Sequence, residues 1–108
     1  MNKNNKKRKF IKSVLENKKM NKFKLTKNKK VVFGVTLYQI KALANFNSVK
    51  KGDLGGWVEK EDNLSQEGNA WVYGNALVYG NALVYGNARV SGNARVYGNA
   101  WVSGNARV

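Results

Sequence analysis

With 20 Lys and Arg against 6 Asp and Glu in 108 residues, the chain carries a net charge of +14, and it has neither His nor Cys. That composition excludes a disulfide framework, a thiol nucleophile and a histidine base, and the length allows at most one small domain. The charge is unevenly placed: 13 of the cations lie in residues 1–30, opposed there only by Glu16, so this segment holds +12 and the remainder is close to neutral.

Residues 1–19 are rich in Lys and Asn, with one weak apolar cluster of Phe10, Ile11, Val14 and Leu15 at helical spacing. A single amphipathic turn is marginal, and the composition buries too little surface to offset ordering entropy. A basic, disordered, solvated tail is expected. The alternative is a polybasic arm that contacts nucleic acid or an anionic surface through Lys6, Lys7, Arg8, Lys9 and Lys12. Such an arm lacks base-reading chemistry, having one Arg and no aromatic besides Phe10. No apolar run follows the basic start, and no stretch is long and apolar enough for a membrane span. The expected location is cytoplasmic.

Residues 20–67 are expected to form an amino-terminal β cap and an irregular first coil. Lys22 to Thr26 alternates in polarity, Val35 to Leu43 is rich in strand formers, and a turn is expected around Asn45 and Asn47. From Gly68 onward one phrase repeats: GNAWVY, GNALVY, GNALVY, GNARVS, GNARVY, GNAWVS, GNARV. A period of six cannot keep an apolar stripe on a helix of 3.6 residues per turn. It suits a strand followed by a bend, with Ala and Val on one face and Gly-Asn at the corner. No such unit buries its own apolar face, so residues 68–108 are expected to stack as a solenoid.

An eighteen-residue register stacks Val72, Val90 and Val108, with Val78 over Val96 and Val84 over Val102. Projected one coil back, it places Leu54 under Val72, but the polar Lys60 and Gln66 under Val78 and Val84. The coil from Gly52 to Glu67 must therefore be irregular, with Val58 and Leu64 filling from the Ala positions.

The stretches TLYQIKAL (36–43) and VKKGDLGGWVEKEDNLSQEGNAWVYGNA (49–76) resemble the cap and first coils of the YdcK-like family of hexapeptide-repeat transferases, and the resemblance covers about residues 20–108. It implies an all-β fold: a left-handed parallel β-helix with three hexads per coil. It also implies small bacterial and phage versions. Acyltransferases of this repeat class usually use a His base at a trimer interface, and this chain has none. Nor is there a strand-loop-helix phosphate loop, and the acidic Asp53, Glu59, Glu61, Asp62 and Glu67 read as solvated loop residues. No catalytic residue, cofactor or metal site is expected. An ice-binding wall is excluded, because the repeats contain no Thr.

The register predicts three outward walls. The first shows Trp71, Tyr73, Arg89, Ser91 and Arg107; the second Leu77, Tyr79, Arg95 and Tyr97; the third Leu83, Tyr85, Trp101 and Ser103, with no charge. The expected function is a non-enzymatic scaffold or binding protein. Its surface is expected to comprise Leu83, Tyr85, Trp101, Tyr79 and Tyr97, or the coil end at Val108, where an unpaired strand edge invites another chain. A dimer, a trimer, an end-to-end polymer and a complex with another protein all remain open, as does mere mutual support by the stacked aromatics. The other function classes are a phage-encoded inhibitor of a host protein or nucleoprotein and a degenerate acyltransferase-like protein.

Overall fold

In the computed structural model, which describes residues 21–108, the repeat glycines from Gly68 to Gly104 all take φ between 60° and 74°. Only glycine enters that left-handed region without strain, and at Gly68 space forbids a side chain as well: a Cβ there would lie 2.6 Å from the carbonyl oxygen of Gly86. The chain therefore turns once per hexad. The expected tail of residues 1–19, with Lys6, Lys7, Arg8, Lys9 and Lys12, lies outside the described residues.

Among the described residues nine strands follow in order. They are β1 (Phe23–Val32), β2 (Val35–Ala42), β3 (Leu54–Val58), β4 (Trp71–Val72), β5 (Leu77–Val78), β6 (Leu83–Val84), β7 (Arg89–Val90), β8 (Arg95–Val96) and β9 (Trp101–Val102). A short 3-10 turn at Glu61–Asn63 separates β3 from β4. Strands β4 and β7, β5 and β8, and β6 and β9 pair in parallel, placing Val72 beside Val90, Val78 beside Val96 and Val84 beside Val102. Each partner lies eighteen positions away, as the valine columns require. The described residues thus form an all-β solenoid whose core of buried Ala and Val runs from Ala70 to Val102.

Next to the two-residue strands, amides of an earlier coil donate to carbonyls of the next one. The amides of Asn69, Trp71 and Tyr73 donate to the carbonyls of Gly86, Ala88 and Val90 at 2.9, 3.1 and 2.7 Å. The equivalent carbonyls of the first regular coil face the amino-terminal segment and need donors from it. Three come from backbone: Trp57, Glu59 and Ser65 donate to Ala76, Val78 and Val84 at 3.0, 3.0 and 2.9 Å. Two come from side chains. Asn63 Nδ2 donates to Gly80 and Ala82 at 3.2 and 2.8 Å, and Lys22 Nζ donates to Ala70 at 2.7 Å and to Gly68 at 3.4 Å. Lys22 and Asn63 thus act at equivalent corners, Gly68 to Ala70 and Gly80 to Ala82, and stand in for a strand that is not there.

Beneath this coil, β1 and β2 form an antiparallel hairpin, and β2 pairs with β3 to extend the sheet in the order β1-β2-β3-β5-β8. The hairpin turn sits at Phe33 and Gly34, with φ of 53° and 77°. The expected turn near Asn47 is present, with Asn47 at φ 48° and a bridge from Phe46 to Val49.

Three expectations need correction. Leu54 does not sit under Val72; it is exposed and pairs with Lys41. Gly55 and Gly56 pass beneath Val72 instead, so close that a Cβ on Gly55 would lie 2.6 Å from the Val72 carbonyl. That contact is the physical reason for two adjacent glycines. Val58 and Leu64 do not fill from the Ala positions either, but stack directly beside Val78 and Val84, twenty residues away and not eighteen. The irregular coil thus holds two extra residues, which moves Lys60 and Gln66 out of the columns. Finally, Trp71 and Leu77 belong to outward columns yet are buried. The amino-terminal segment covers them.

Candidate interaction surface

The covering differs from wall to wall. On the first wall Trp71 is 1% exposed, held edge-on by Phe23 and Phe46 with ring centroids 6.3 and 5.3 Å away. On the second wall the outward column runs Gln39, Trp57, Leu77, Arg95 across β2, β3, β5 and β8. The hairpin folds along it: Lys30 Nζ lies 4.4 Å from the Trp57 ring, and the Arg95 guanidinium lies 5.1 Å from the ring of Phe33 at the hairpin tip. Cation–π contacts of this kind suit a basic hairpin laid over aromatic residues.

The third wall carries no such cover. Leu83 pairs with Trp101, and Tyr85 meets Trp101 edge-on with centroids 6.1 Å apart. Leu83 and Tyr85 are half-buried, whereas Trp101 is 68% exposed. Around the neighbouring corner, Tyr79 stacks on Tyr97 at 5.4 Å and 10°, leaving Tyr97 58% exposed. Leu83, Tyr85 and Trp101 are therefore gathered on one face, with the Tyr79–Tyr97 stack on the adjoining one. Val108 lies at the carboxy-terminal end of the first wall, donating to the Arg89 carbonyl at 2.8 Å and accepting from the Ser91 amide at 3.0 Å.

The Asn corners form two ladders. Asn69 Nδ2 donates to Asn87 Oδ1 at 3.3 Å, Asn87 to Asn105 at 3.5 Å, and Asn81 to Asn99 at 3.4 Å. Among the described residues no three of His, Cys, Asp and Glu come together to hold a metal, and no helix is long and apolar enough to cross a membrane.

Lys22 was not legible as a special residue, because it sits in a run of lysines that reads as solvated. It is 6% exposed, and burial lowers its pKa from 10.5 to about 8. The folded value lies below the unfolded one, so between pH 8 and 10.5 the unfolded chain binds the extra proton, and Lys22 contributes stability that rises with pH. Unfolded in urea at pH 7.5 and pH 10, the wild-type chain gains on Lys22→Met by up to about 3 kcal/mol at the higher pH. A difference that is flat, or shrinks, contradicts a buried ammonium.

Residues 70–86, 78–90, 82–98 and 88–104 each match the repeat described as the YdcK Beta solenoid repeat. The uncharacterized acetyltransferase YdcK of Escherichia coli (strain K12) is 51% identical over 39 residues, which is 36% of this chain and 12% of that protein. The chain thus spans far less than two thirds of the relative it matches.

Proposed function

From a chain whose residues 70–104 are YdcK-type β-solenoid repeats, we propose a non-enzymatic interaction module that associates with a second copy of itself through its third wall. The observation that carries this reading is the exposure of Trp101, at 68%, on the wall that lacks both a covering segment and a charge. Exposed apolar patches of this kind mark contact surfaces, and a wall meeting its own copy closes into a symmetric dimer or trimer. The matched relative bears an acetyltransferase name, and the reading here departs from it because the chain has no His and no Cys to serve as base or nucleophile. The coil is proposed to be left-handed with three hexads per turn. The eighteen-residue parallel register supports the turn, and the family resemblance supports the hand.

The double substitution Leu83→Lys with Trp101→Lys tests the wall. Sedimentation velocity across a concentration series is expected to show a dimer or trimer for the wild-type chain and a monomer for the variant. Far-UV circular dichroism should be unchanged, because both side chains point outward. An assembly that persists in the variant, or a wild-type chain that stays monomeric throughout, contradicts the proposal; the latter leaves a foreign protein as the wall's occupant.

A further inference from the structure

We propose that the first wall binds a phosphoryl dianion, a phosphomonoester or pyrophosphate group, between Arg89 and Arg107. The two arginines face each other across a parallel bridge, where strands lie about 4.8 Å apart. Like charges directly opposite one another destabilise a sheet. No acidic side chain in the repeats offsets them, because residues 68–108 contain no Asp or Glu. The nearest acidic residue in sequence is Glu67, which is exposed at the corner before Asn69. A bound dianion removes the repulsion by pairing with both cations.

The surroundings are built from donors. Two adjoining grooves share the arginine pair. One, of about 320 Å³, is completed by Tyr73, Ser91 and Ser48, and the other, of about 270 Å³, by Asn47 and the ladder of Asn69, Asn87 and Asn105. The ladder bonds fix the amide orientations, so Asn69 and Asn87 donate along the solenoid axis towards Asn105. Asn47 and Ser48 overhang the wall because Asn47 takes a left-handed φ of 48°. Guanidinium forks match phosphoryl oxygens in pairs, which an ammonium cannot do. Each groove has room for a small organic group beside the phosphoryl, and Tyr73 supplies an aromatic side to one of them. The third wall plays no part in this site, so the inference stands apart from the association proposed above.

Arginine side-chain NMR gives a direct readout, since the chain holds only four arginines, Arg8, Arg89, Arg95 and Arg107. On titration with pyrophosphate, and in a second arm with a phosphomonoester, the Nε–H signals of Arg89 and Arg107 are expected to shift saturably while that of Arg95, engaged with Phe33, does not. Sodium chloride matched for ionic strength should leave all of them in place. Arg107→Gln, at an exposed position, should keep the fold and weaken binding at least about tenfold. Uniform shifts at every arginine, equal shifts with chloride, or unchanged affinity in Arg107→Gln would each overturn the site.

Discussion

Val90→Asp is expected to abolish the β-solenoid, while Tyr79→Ser leaves it folded. Val90 is fully buried between coils, its neighbours in the column being Val72 on one side and Val108 on the other. A carboxylate there finds no cation or donor and costs several kcal/mol, in addition to about 2 kcal/mol of lost apolar burial. Domains of this size hold only about 5–15 kcal/mol in total. Tyr79 is half-buried and outward, and its loss removes one stacking contact worth about 1 kcal/mol. Far-UV circular dichroism separates the two outcomes, and equal loss of β signal in both variants means that the inward column has been misassigned.

The second large effect is expected at Asn63, a fully buried side chain with four hydrogen bonds. Its Oδ1 accepts from the amides of Glu59 and Lys60 at 3.1 and 2.9 Å, and its Nδ2 donates to the carbonyls of Gly80 and Ala82. Asn63→Leu keeps the branched heavy-atom skeleton and strands these backbone groups without partners, at about 1–3 kcal/mol for each one left buried. A loss of about 4 kcal/mol follows, measured as a shift of the urea midpoint at constant slope. Asn69→Leu makes the control, since Asn69 sits in a ladder open to solvent and should cost less than about 1 kcal/mol. If the two substitutions cost the same, the donor role assigned to Asn63 is wrong.

The contrast between these two asparagines marks how far the sequence could be read. Val90 and Asn69 lie inside a strict six-residue period, so their facing follows from counting, and the valine columns and the uncharged third wall follow with them. Asn63 lies where the period fails. The coil before Gly68 holds twenty residues and not eighteen, so projecting the repeat backwards put Leu54 in the core and gave Asn63 no role. The amino-terminal segment was less legible still. That Phe23 and Phe46 bury Trp71, and that Phe33 reaches Arg95, depends on how a hairpin bends across walls twenty or more residues away along the chain. Strand propensity carries no signal for this. Lys22 was hidden by its neighbours: only tertiary burial distinguishes it from the lysines around it, because the carbonyls it serves belong to Gly68 and Ala70.

These coverings give the third wall its meaning, since the amino-terminal segment buries Trp71 and Leu77 on the first two walls and leaves Leu83, Tyr85 and Trp101 outside. Fluorine NMR of the chain labelled with 5-fluorotryptophan tests that most directly, with the signals of Trp57, Trp71 and Trp101 assigned through Trp101→Phe. In dilute solution the Trp101 resonance should show a solvent isotope shift, and raising the protein concentration should abolish it as a second copy covers the ring. Trp71, already buried, should not respond. A Trp101 signal that keeps its full isotope shift at the highest concentration attained would contradict self-association through this wall.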